Sequence, residues 1–118
     1  ECLVGSEMCI RDSIYIQDGE ARLHIFPLPS SHAKGCVALE VNDEWCFLGD
    51  ALYSMQKCGH NLYNAGILKD EINVLQNIKA EKFMLSHRTP FEKPKGIIMR
   101  WLGEIYDRRV KGEVYIEI

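Results

Sequence analysis

The sequence predicts an α/β domain in which two helices cover a mixed β-sheet, and three observations carry that prediction. Short runs rich in β-branched and aromatic residues alternate apolar with polar positions. Two later stretches space their apolar residues by three and four, and Pro, Gly, Asn and Asp mark the boundaries between these segments. At 118 residues, 47% hydrophobic and 26% charged, the chain has the size and composition expected of one soluble globular unit.

From Ile14 the chain reads SIYI, a QDGE turn, then ARLHIFPLP, where Leu23 and Ile25 alternate with Arg22, His24 and Phe26, which predicts a β-hairpin. Pro27 and Pro29 lack a backbone donor, so the ladder should end near them and open into the loop PSSHAKG, which carries His32. CVALEV and EWCFLG flank Asn42-Asp43 and predict a second hairpin with Gly49-Asp50 at its exit. Residues 51–64 read as turn-prone. Ile67, Leu68, Ile72, Leu75 and Ile78 then line one face of a helix over about 64–79.

KFMLSH predicts a short buried strand ending at His87, broken by the two prolines of RTPFEKP. Pro94 suits the first turn of a second helix, whose apolar stripe is Ile97, Ile98, Trp101, Leu102, Ile105 and Tyr106, opposite Arg100, Glu104 and Arg108. The tail EVYIEI alternates and predicts a last strand.

Residues 1–13 stand apart from this pattern. They lack its periodicity, and LVGSEMCIRD reverse-translates with ordinary codons into a transposase adaptor used to fragment DNA for sequencing. The expectation is that 1–13 are adaptor-derived and that 14–118 is the natural part of an interrupted gene. Setting them aside removes Cys2 and Cys9 and leaves Cys36, Cys46 and Cys58, an odd number without disulfide-scaffold spacing, which fits a reducing, cytoplasmic compartment. The net charge of -3 offers no basic surface for phosphates, so neither nucleic acid nor a membrane surface is expected as a partner; a small-molecule substrate is.

Three candidate ligands share one context. His32 follows the strand of PLPSSHAKGC, Asp50 follows the strand of FLGD, and His87 follows the strand of FMLSH. Side chains at strand exits can converge at one end of a sheet, and imidazole and carboxylate suit zinc and similar divalent metals. Each residue alone also has a plain reading: a solvated loop histidine, or a turn aspartate capping the next segment. Tyr53 is close enough to Asp50 to line a pocket or simply to pack. His24, Cys58 and His60 are assigned no role, while Cys36 and Cys46 read as small core residues.

With these residues in view, PLPSSHAKGCVALEV, FLGDALY and LSHRTPF resemble segments of the metallo-β-lactamase superfamily over roughly residues 20–90. The resemblance implies an αββα sandwich, of which 14–118 would be the C-terminal half. It implies a dinuclear zinc site in which His32 serves one metal, His87 the other, and Asp50 bridges. The activity implied is hydrolysis of an ester, thioester, amide or phosphodiester by a metal-bridging hydroxide. The superfamily's His-x-His-x-Asp-His motif would lie upstream of Ile14, so this chain alone is expected to be inactive. The alternative is a non-catalytic binding or assembly module that keeps the fold.

Overall fold

The alternation in residues 14–49 becomes two successive antiparallel hairpins. The computed structural model describes residues 13–87 and 89–118, so the expected adaptor-derived segment, apart from Ser13, lies outside the described residues. β1 (Ile14–Asp18) pairs with β2 (Ala21–Pro27) across a two-residue turn at Gly19-Glu20. β3 (Val37–Val41) pairs with β4 (Trp45–Gly49) around Asn42 and Asp43, whose φ of 54° and 55° are left-handed values that Asn and Asp tolerate better than most residues.

β5 (Met55–Lys57) and β6 (His60–Asn64) follow, then α1 (Ala65–Gln76), β7 (Lys82–His87), β8 (Thr89–Pro94), α2 (Lys95–Tyr106) and β9 (Tyr115–Glu117). Asn64 caps α1 by accepting from the Ile67 N–H at 3.0 Å. The strands form a six-stranded sheet, β1-β2-β3-β4-β7-β8, in which only β4 and β7 are parallel, and a three-stranded sheet, β5-β6-β9.

Register separates the two faces of the large sheet. Phe26, Ala38, Cys46, Leu48, Phe83 and Leu85 are buried together with Leu68 and Leu75 of α1 and Ile98, Leu102 and Ile105 of α2. Burying each such aliphatic side chain contributes about 1.5–3 kcal/mol, so this layer is the core. The opposite pleat carries Ile14, Ile16, Leu23, Ile25, Leu39, Val41, Trp45, Phe47 and Met84 in cross-strand register, all of them partly or largely exposed.

The expected αββα sandwich is overturned. That architecture stacks two sheets face to face between two helix layers. Among the described residues there are nine strands and two helices, both helices pack on one face of the six-stranded sheet, and the second sheet has three short strands. The chain is a small β-rich domain.

Three local differences have physical causes. Residues 51–64, expected as turn, contain the β5–β6 hairpin, in which only Tyr63 is fully buried, so the short strands lack the apolar alternation that marks a strand. RTPFEKP, expected to break the sheet, supplies β8; its prolines are tolerated because β8 is an edge strand. Helix α1 ends at Gln76 rather than 79, because the N–H groups of Lys79 and Ala80 donate to the Glu40 carboxylate instead of continuing the helix.

Candidate functional site

The strands fix which residues can meet. β2 and β4 each run antiparallel to β3, and β7 runs parallel to β4, so the C-terminal ends of β2, β4 and β7 all lie at one end of the sheet. His32 follows β2, Asp50 follows β4, and His87 is the last residue of β7, two beyond the Leu85 that pairs with Gly49. Gly49 has a φ of 58°, a conformation that glycine adopts without strain, and the chain turns off the strand there to present Asp50.

Side-chain to backbone bonds then tie the His32 loop to the Asp50 turn. Ser30 is buried, and its hydroxyl donates to the Ala51 carbonyl at 2.6 Å while accepting from the His32 N–H at 3.1 Å. Buried Ser31 accepts from the Asn64 N–H at 2.9 Å, anchoring the same loop to the start of α1. His32 Nδ1 lies 3.0 Å from the Ser54 carbonyl oxygen. A carbonyl can only accept, so Nδ1 carries the proton and the lone pair is on Nε2.

His32, Asp50, Tyr53, Ser54, Gln56 and Asn61 line one cleft of about 420 Å³. Its polar side chains are set in a largely apolar wall that includes Ile118, and its two chemically active members are an exposed imidazole and an exposed carboxylate. Partial burial and the nearby Asp50 carboxylate both raise the Tyr53 phenol above its ordinary range, so it stays protonated at neutral pH.

His32 and Asp50 are therefore brought together. The His87 side chain lies outside what is described; its backbone is at the same sheet end. Among the described residues, no group of three His, Cys, Asp or Glu side chains is placed to hold a metal. His32 and Asp50 suit zinc in donor type, but two ligands alone do not complete its usual tetrahedral set. His60 is occupied elsewhere, donating to Glu117 on β9. Ser30, Ser31 and Ser54 were not singled out from sequence: SS before a histidine hints at backbone capping, but the role of Ser54 is carried by a carbonyl that has no residue signature.

No family model, curated protein or solved structure matches this chain. The resemblance to the metallo-β-lactamase superfamily thus rests on the quoted motif residues. Among the described residues, no helix is long and apolar enough to cross a membrane.

Proposed function

We propose that the cleft is part of a zinc-dependent hydrolytic centre, with His32 and Asp50 as metal ligands and His87 as a third contributed from the end of β7. The observation that carries this reading is the Ser54 carbonyl on His32 Nδ1: it favours the tautomer whose Nε2 can ligate, and a backbone carbonyl on the far nitrogen is one of the common outer partners of a metal-bound histidine. The Ser30 link adds support, because it holds the His32 loop against the Asp50 turn.

A divalent metal held there would supply a Lewis acid for cleaving an ester, thioester, amide or phosphodiester. The chain's own residues orient and donate. Tyr53 keeps its proton and lines the cleft beside Asp50. Gln56 and Asn61 offer amide groups that can hold polar parts of a substrate.

Calorimetric zinc titration tests the assignment. The intact chain should bind zinc, and His32→Ala and Asp50→Ala should each weaken binding at least tenfold, as lost ligands do. Affinity unchanged in both variants would remove the metal centre. No zinc binding at all would equally leave the metal centre without support.

A further inference from the structure

The cleft at His32 and Asp50 has a neighbour that is almost wholly apolar. Tyr53, Leu85, Phe91, Ile97, Ile98 and Trp101 bound a cavity of about 310 Å³ between α2 and the β7–β8 hairpin. Tyr53 lines both spaces, so they are neighbours. Its ring meets Trp101, a lining residue of the apolar cavity, edge-on with centroids 6.4 Å apart.

The composition of the two spaces divides the labour of a small-molecule site: convergent polar groups in one part, an apolar receptacle in the other. The cavity is at the small end of the range for ligand sites, fitting a ring or a short chain rather than a protein segment. Lys93 is its one charged lining residue; it makes no ion pair among the described residues, and its aliphatic stem can serve as wall while the ammonium stays in water.

We infer that this cavity receives the apolar acyl group of the substrate whose reacting carbonyl lies at His32 and Asp50. The inference rests on the hydrolytic reading of that cleft and narrows its substrate class to esters or thioesters of medium-chain or aryl acids. On this reading the acyl chain runs past Tyr53, which both spaces share, from the carbonyl at His32 and Asp50 to the space against Trp101.

The test uses the acid products themselves, from acetate through butyrate and hexanoate to octanoate, titrated into the chain with and without zinc. Of the two tryptophans, Trp45 lies on the opposite face of the sheet, so Trp45→Phe leaves Trp101 as the fluorescent reporter in the cavity wall. Affinity should rise about fourfold for each added methylene until the cavity is filled. Ile97→Glu, at a position 47% exposed, should abolish that dependence and leave zinc affinity unchanged. Should that variant fail to fold, Phe91→Ser at the edge strand serves the same purpose. Affinity that ignores chain length, or chain-length dependence that survives the substitution, overturns the inference. Zinc binding without chain-length dependence removes the acyl cavity alone. Chain-length dependence without zinc binding removes the metal centre alone.

Discussion

His24 donates from Nδ1 to Glu40 Oε1 at 3.0 Å, while Glu40 Oε2 accepts from the backbone N–H groups of Lys79 and Ala80 at 2.9 and 2.8 Å. One carboxylate, 3% exposed, thus joins strand β2 to strand β3 and both to the turn that leads into β7. Tyr15 stacks on the outer side of the same imidazole, with centroids 4.4 Å apart.

Glu40→Ala should therefore be among the most damaging single changes. It strands two N–H groups, one of them buried, and a half-buried imidazole without an acceptor, and the expected loss is about 3–5 kcal/mol. His24→Ala removes one donor and should cost about 1–2 kcal/mol. Urea unfolding midpoints for the two variants check the order. An equal or reversed order would mean that the Lys79–Ala80 turn is held by something other than this carboxylate.

Glu71 predicts a pH dependence. It faces the core from α1, is fully buried, and neither carboxyl oxygen has a partner among the described residues. Burial pushes its carboxyl up to about 9, so the folded chain holds a proton that the unfolded chain releases in the ordinary carboxylate range. The folded pKa is the higher one. This contribution to stability is thus fully present in acid and is lost as the pH rises towards about 9, at up to ~1.4 kcal/mol per pH unit. Glu71→Leu should flatten that slope and stabilise the chain at neutral pH by about 1–3 kcal/mol. Thermal melts of both proteins between pH 5 and pH 9 test it, and parallel pH profiles would contradict it.

The contrast between these two glutamates shows what was legible in the sequence. Alternating Leu23 and Ile25, and the helical stripes through Leu68 and Leu102, announce their elements because apolar periodicity is the imprint of a buried face. A glutamate in the same pattern reads as solvent-facing. Only the fold brings Lys79 and Ala80 to Glu40, or seals Glu71 behind α1. The strands β5, β6 and β8 were hidden for a related reason: β5 and β6 are short and bury only Tyr63 fully, and the prolines of β8 mimic a break. His32 and Asp50 were legible as strand exits, whereas the bonds that orient them run to the carbonyls of Ser54 and Ala51, which any residue could have supplied.

Thiol reactivity should sort the cysteines by position. Cys46 is fully buried, and burial, with a smaller contribution from Glu40, pushes its thiol up to about 12, leaving almost no thiolate at neutral pH. Cys58 is exposed in the β5–β6 turn. Under native conditions iodoacetamide should label Cys58 quickly, and Cys46 only at the rate of global unfolding, as read by peptide mass mapping. Comparable rates at the two positions would show that the sheet opens locally around β4.

With the Ser54 carbonyl accepting from Nδ1, neutral His32 should carry its proton on Nδ1 and leave Nε2 bare. Long-range nitrogen–proton correlation spectra distinguish the two tautomers directly. The tautomer should depend on Ser30, because that hydroxyl both accepts from the His32 N–H and donates to Ala51, holding the loop where Ser54 can be reached. Ser30→Ala should destabilise the chain by about 1–3 kcal/mol, since it leaves the Ala51 carbonyl short of a donor, and should let His32 exchange between tautomers. Zinc added to the intact protein should move the Nε2 resonance and leave Nδ1 protonated. A proton found on Nε2 in the intact protein would mean that the Ser54 contact does not set the ring, and with it would go the main support for His32 as a ligand.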